Sequence, residues 1–180
     1  MTIYSIGHST HSLEELVSLL RQHRVGVLAD VRTAPGSRRL PQFGRASLTA
    51  ELPPRGLAYV HLPELGGFRR PRPDSRNTAW RNESFRGYAD HMESPEFQVG
   101  LERLLGPMEG GGYAVAVMCA EAVPWRCHRS LIADALLARG ITVQHILGAG
   151  RTQPHTLTPF ARVDGMDTSY PGLDTLALNG

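Results

Sequence analysis

Thirteen consecutive residues, Met118–Ser130, hold most of the side chains in this sequence that are suited to chemistry: Met-Cys-Ala-Glu-Ala-Val-Pro-Trp-Arg-Cys-His-Arg-Ser. Both cysteines of the chain, Cys119 and Cys127, lie here, with Glu121, Arg126, His128 and Arg129 around them. A cysteine that ends a strand and opens a loop toward a helix sits near free amides and the positive end of a helix dipole. Arg126 and Arg129 add positive charge close by. Each influence favours thiolate, so Cys119 is expected to be a nucleophile or redox thiol with a pKa below the ~8.5 of a free cysteine. Glu121 and His8 are the candidates to move protons. The competing reading is that Cys119 only fills the core at the strand end, as free cysteines often do.

The same segment suits an anion. Cys127-His128-Arg129-Ser130 would make the first turn of a helix, where open amides together with His128 and Arg129 fit a phosphate or carboxylate. Alternatively, Ser130 or Cys127 caps the helix and Arg129 is solvated. Ser9, Arg32, Ser37 and Arg126 complete the expected anion- or substrate-binding set. In Asp30-Val31-Arg32, either Asp30 orients a partner while Arg32 contacts an anion, or the two form a structural ion pair at the sheet end.

Cys119, Cys127 and His128 are also good zinc or iron ligands. Adjacent Cys127-His128 is not a standard chelating pair, however, and His8, His61 or Glu121 would have to complete the set. A phosphatase- or rhodanese-like anion loop needs cysteine and arginine at tight spacing and glycines for converging amides. Here six residues separate Cys119 from Arg126, Pro124 and Trp125 interrupt the loop, and the glycines are absent.

These residues need elements to position them. Thr2–Ile6 reads as a first strand, followed by a Gly7–Thr10 loop. Ser12 and Glu15 form a capping box for a helix whose apolar face is Leu13, Leu16, Val17 and Leu20, running to about Arg24. Val25–Val31 reads as a buried second strand. A short helix over Ala46–Leu52 ends at Pro53-Pro54, and Leu57–Leu62 is a third strand. Residues 63–82 read as a long irregular loop. Helices follow over Glu83–Met92 and from Ser94-Pro95, a cap with proline at the first helical position. Tyr113–Met118 is a fourth strand, Ser130–Arg139 a helix ended by Gly140, and Ile141–Ile146 a fifth strand. Residues 148–180 show no strong period.

Strands alternating with helices predict an α/β fold of three layers: a mainly parallel sheet of about five strands, helices on both faces and an irregular C-terminal tail. Residues 1–150 read as a single α/β domain, with 151–180 docked on it. In such sheets ligands sit beyond the carboxyl ends of the strands, so the loops starting at Gly7, Arg32, Leu62 and Cys119 are expected to share one cleft.

The 180 residues and 41% apolar content suit one core. No apolar run approaches the roughly 20 residues of a membrane span. The start, Met-Thr-Ile-Tyr, lacks a signal-peptide pattern, and a cytoplasmic address is expected. With two cysteines and no export signal, a structural disulfide is not expected. All 19 basic residues are arginine, and the net charge is only +2. A GC-rich coding bias accounts for the arginine excess, so isolated arginines carry little weight. The arginine-rich loop 68–88 interleaves Phe68, Trp80, Phe85 and Tyr88 with six arginines, which could track phosphates and stack bases.

Gly7-His8-Ser9, Asp30-Val31-Arg32 with Pro35 and Ser37, Leu65-Gly66-Gly67, Phe85–Met92 and the Cys119–Arg129 block together resemble the domain of unknown function 488 family. So does the tail, Thr158-Pro159-Phe160-Ala161 followed by Tyr170-Pro171. The resemblance spans about Ile3 to Pro171. It implies a bacterial α/β domain whose motif positions form one site, and it supplies no activity or residue assignment. Three functional expectations follow. The first is an enzyme-like pocket for an anionic small molecule or nucleotide, with Cys119 as nucleophile, His8 or Glu121 moving protons, and Arg32, His128 and Arg129 holding the anion. The second is a nucleic-acid-binding module using loop 68–88. The third is metal binding through Cys119, Cys127 and His128. The sequence assigns no cofactor and no oligomeric state.

Overall fold

The computed structural model describes residues 1–110 and 112–173. Five apolar stretches become parallel strands: β1 (Thr2–Gly7), β2 (Val25–Asp30), β3 (Ala58–His61), β4 (Ala114–Cys119) and β5 (Thr142–Gly148). Their order across the sheet is β3-β2-β4-β1-β5, and β6 (Arg151–Pro154) pairs antiparallel on the β5 edge.

Helix α1 (Leu13–Gln22) starts at the expected capping box. The Ser12 hydroxyl accepts from the Glu15 amide, and the Glu15 carboxylate accepts from the Ser12 amide. Helix α2 (Arg45–Glu51) gives way to a 3-10 turn at Pro53–Arg55. Helix α3 (Glu83–Met92) is capped by Asn82, and α4 (Pro95–Glu109) by Ser94. Helix α5 (Arg129–Ala138) has His128 at its cap position, where no side chain bonds the open amides. Neither Ser130 nor Cys127 caps it; the Ser130 hydroxyl donates back to the Cys127 carbonyl instead.

Alternation along the strands separates two cores. Ile6, Leu28, Ala116 and Met118 pack with Leu16, Leu20 and Leu48 of α1 and α2. Val115, Val117 and Cys119 pack on the other face with Tyr88, Leu101 and Leu131 of α3, α4 and α5. The result is the three-layer α/β architecture with a mainly parallel sheet. Because side chains alternate with period 2, Cys119 points to the α5 side.

Register brings the strand ends level. Gly7 pairs with Cys119, Asp30 with Met118 and His61 with Asp30. Ladder bonds then carry the chain just past the sheet edge: His8 N donates to the Cys119 carbonyl at 2.9 Å, and Val31 N to the Met118 carbonyl at 3.0 Å. At Gly7 a Cβ would lie 1.9 Å from the Glu121 carbonyl oxygen, so only glycine lets the Cys119 loop close over β1.

The stretch after Gly148 is more structured than its composition suggests. Besides β6, it contains a hairpin of β7 (Arg162–Asp164) and β8 (Asp167–Ser169), with Gly165 at φ 60° in the turn. These strands are too short to leave a hydrophobic period. Side-chain bonds hold the segment. The buried Asp134 carboxylate accepts from His155 Nε2 at 2.8 Å, Thr158 N at 3.0 Å and the Tyr170 hydroxyl at 2.7 Å. His155 Nδ1 in turn meets His145 Nε2 at 3.0 Å. The remainder of the expected tail, 174–180, lies outside the described residues. Among the described residues, no helix is long and apolar enough to cross a membrane.

Candidate functional site

Cys119 ends β4, and Cys127 follows the 3-10 turn Pro124–Arg126. Both are buried free thiols, and their sulfurs lie 2.7 Å apart. Behind them, Arg129 at the first position of α5 is only 2% exposed. Its Nε donates to Cys119 Sγ at 2.9 Å, one terminal nitrogen to Ser5 Oγ at 2.8 Å, and the other to the Glu121 carbonyl at 2.6 Å. Among the described residues, no carboxylate forms an ion pair with Arg129. A buried guanidinium needs a counter-charge. The groups at hand that can supply one are the two thiols.

His128 touches the pair from the other side. Its Nε2 is 2.9 Å from the Val31 carbonyl, and Nδ1 is 3.5 Å from Cys127 Sγ. A carbonyl only accepts, so Nε2 carries a proton, and Nδ1 is the ring nitrogen that faces the Cys127 sulfur. Gly67 leaves room for this ring, since a Cβ there would meet Nδ1 at 3.1 Å.

Ionisation of the pair follows from these contacts. The hydrogen bond from Cys119, followed by the bond and charge of His128 and the charge of Arg129, holds Cys127 far below the usual thiol range despite burial. Burial pushes Cys119 up, and the neighbouring Cys127 adds to it, with Arg129 opposing. Two sulfurs in contact hold one negative charge between them, not two. The sequence places the lowered pKa on Cys119; in the structure burial and the contact with Cys127 push Cys119 up, and Cys127 is the one held down.

The thiols open on a cleft of about 610 Å³ at the carboxyl edge of the sheet. His8, Arg32, Ser37, Glu121, Arg126 and His128 line it together with Leu40, Phe68, Phe85 and Tyr88. The loops after β1, β2 and β4 therefore do converge. Ser9 and Arg129 are not on the cleft wall. The Ser9 carbonyl accepts from His8, and Arg129 serves the thiols rather than the open space.

Of the two alternatives for Asp30-Val31-Arg32, the ion pair is the one that forms, through Nε–Oδ1 at 2.8 Å and Nη2–Oδ2 at 2.6 Å, while Nη2 also reaches the Phe43 carbonyl at 2.7 Å. The remaining Nη1 donates to His8 Nε2 at 3.2 Å. A guanidinium only donates, so His8 Nε2 is the acceptor and Nδ1–H donates to the Ser9 carbonyl at 2.9 Å. Burial lowers the His8 pKa and keeps the ring neutral, stacked 4.3 Å from Phe43. His8 thus has its one lone pair engaged. Glu121 sends its side chain to solvent, where it accepts from the Val123 amide, and its carbonyl is the part that reaches Arg129. Ser37 Oγ accepts from the Arg39 and Leu40 amides. Arg126 is exposed and forms no ion pair among the described residues.

Ser5, Phe43 and the Val31 carbonyl belong to the site and were not singled out from the sequence. Ser5 left a signal, as a buried polar residue between Ile3 and Ile6 of β1. A backbone carbonyl leaves none.

The other two expected constellations look different in place. In loop 68–88, Arg69 pairs with Glu96, Arg72 and Arg76 share Glu93, and Arg86 pairs with Glu83. Trp80 stacks on Phe85 and packs against Phe160 and Tyr170, and Tyr88 is buried. Among the described residues, no group of three or more His, Cys, Asp and Glu is arranged to hold a metal ion. In particular, Cys119, Cys127 and His128 do not form one, and His128 Nε2 is taken by Val31.

Fold and site together define an α/β domain with a buried dithiol at the carboxyl edge of its sheet. The chain belongs to the family described as Domain of unknown function DUF488, whose family model matches residues 12–136, more than half of the chain. The matched span includes the Cys119–Arg129 block and stops short of Gly7-His8-Ser9 and the tail. No curated protein and no solved structure matches the chain.

Proposed function

We propose that this cleft binds an anionic small molecule, a nucleotide among them, and presents a thiolate to it as nucleophile. The observation that carries this reading is Arg129, a buried guanidinium without a carboxylate partner that donates to one of two thiols in contact. The nucleophile is then Cys127 rather than Cys119: it is held toward thiolate and it adjoins His128. Arg126 supplies free positive charge, Arg32 adds its field, and Leu40, Phe85 and Tyr88 offer an apolar wall for an organic body. His128 Nδ1 is the proton acceptor, oriented by the Val31 carbonyl. Cys119, Arg129 and Ser5 position and charge the thiol.

Alkylation with a matched pair of reagents tests both halves of this reading. Iodoacetate and iodoacetamide differ in charge. Cys127 is expected to react with both, and Arg126→Gln is expected to lower the iodoacetate rate several-fold while leaving iodoacetamide unchanged. Equal slowing of both reagents would remove the anion preference. Absence of native-state alkylation at Cys127 would remove the nucleophile.

The internal pairing of Arg69, Arg72, Arg76 and Arg86 gives the nucleic-acid reading no matching support. Retention on a polyanion column at low salt is its test.

A further inference from the structure

We infer that Cys119 and Cys127 work as a nucleophile and a resolving thiol in a two-electron thiol–disulfide exchange, whose substrate is a small anionic disulfide bound in the cleft. The inference rests on the thiolate reading above and adds the reaction class.

The geometry that points there is the contact itself. A nucleophilic cysteine that performs only acyl or alkyl transfer needs a base and a site for the developing charge. It has no use for a second thiol against its sulfur. Here the second thiol is buried, lies 2.7 Å away and has its own guanidinium donor. Bonding the pair requires the sulfurs to close by less than about 1 Å, a movement within the reach of side-chain rotation on a loop residue such as Cys127.

The steps balance. Cys127 thiolate attacks one sulfur of the disulfide R–S–S–R. That S–S bond breaks, one R–S⁻ leaves, and a mixed disulfide Cys127–S–S–R remains. The negative charge that kept the proton on Cys119 is now gone from Cys127, while Arg129 still donates to Cys119 Sγ. Cys119 therefore loses its proton to water in the cleft, and its thiolate attacks Cys127 Sγ. The Cys127–S–R bond breaks, the second R–S⁻ leaves, and a Cys119–Cys127 disulfide forms. The resting thiolate–thiol pair has lost two electrons and one proton; the substrate disulfide has taken up the two electrons as two thiolates, and the proton has passed to water. A low-molecular-weight thiol returns the pair to the reduced state by the same exchange in reverse. Arg129 thus assists each thiolate in turn, which accounts for its donating to the sulfur that does not carry the charge at rest.

Dithiobis(nitrobenzoate), an aromatic disulfide with two carboxylates, is a suitable probe because it matches the arginines and rings of the cleft. Native reduced protein is expected to release two equivalents of thionitrobenzoate, the second without further reagent, and to end two hydrogens lighter with no adduct. Cys119→Ser is expected to release one equivalent and keep the adduct on Cys127. Cys127→Ser is expected to lose the fast phase. A wild-type protein that stops at one equivalent, with a lasting adduct on Cys127, overturns the exchange cycle and leaves the thiolate reading standing. Release only after denaturation overturns both.

Discussion

Helix α5 carries two buried ionisable side chains, Arg129 at its first position and Asp134 one turn and a half further on, and their surroundings are opposites. Asp134 has partners at both oxygens: His155, Thr158 N and the Tyr170 hydroxyl. These hydrogen-bond partners all belong to the C-terminal segment, and the cluster ties that segment to the helix. Arg129 meets a sulfur, a hydroxyl and a carbonyl, and no carboxylate. A chain that needed only a filled interior could have balanced Arg129 in the way it balanced Asp134. On the proposed reading a thiolate is the counter-ion of Arg129, and a thiolate is reactive. The Asp134 cluster is closed by side chains of its own surroundings, while the Arg129 cluster contains no carboxylate among the described residues.

Removing Asp134 sharpens the contrast most. Asp134→Ala leaves His155 and Tyr170 without their shared acceptor inside the protein and is expected to cost about 3–5 kcal/mol in urea-induced unfolding. In whatever fraction stays folded, the rate of Cys127 alkylation should be that of the wild type. A slowed rate would mean that the two clusters are coupled through α5, which would break the comparison.

Arg129→Met removes the charge and keeps an apolar side chain in its place. The thiolate should weaken, lowering iodoacetamide alkylation of Cys127 near pH 6 on the order of tenfold or more. Arg129→Lys should recover part of it. An unchanged rate in Arg129→Met would show that His128 alone suffices.

Gly7→Ala pushes a methyl group into the Glu121 carbonyl. It is expected to destabilise by about 1–3 kcal/mol and, because that carbonyl also accepts from Arg129, to slow alkylation as well. Loss of stability at full reactivity would separate the loop from the thiols.

Acid should act on both regions, more gently. Burial lowers the pKa of His8 and His91 and lowers His145 to about 4. The unfolded chain takes up these protons near pH 6.5, where the folded protein does not. The stability contributed by these groups is therefore complete above that point and is lost as pH falls toward the folded values. Urea midpoints should decline from about pH 6.5 to 4.5, with a shallower slope in His145→Phe. A flat profile would contradict the neutral buried imidazoles.

Much of this organisation is legible before folding. The capping box at Ser12, the apolar runs of β2 and β4 and the Ser94-Pro95 helix start are local signals, and each stands where its chemistry requires. The convergence of His8, Arg32 and Cys119 follows from parallel topology, which puts the strand ends on one edge. Other features depend on contacts between residues far apart in sequence. Ser5 reaches Arg129 across 124 positions, and Val31 orients His128 across 97. The division of charge between Cys119 and Cys127 is not local either. From sequence, a strand-end position favours thiolate at Cys119; only the touching sulfurs move it to Cys127. The strands after Gly148 leave no periodic signal because they are three or four residues long, and the segment is held by distant polar groups, the Asp134 carboxylate and the Asn77 side chain, whose oxygen accepts from the Tyr170 amide.

The central claim is a resting thiolate at Cys127, and the pH dependence of its alkylation by iodoacetamide, read residue by residue from peptide masses, tests it most directly. The structure predicts a rate nearly constant between about pH 5 and pH 8, because the thiolate is already formed. A rate that climbs about tenfold per pH unit toward the ~8.5 of an ordinary thiol would contradict it.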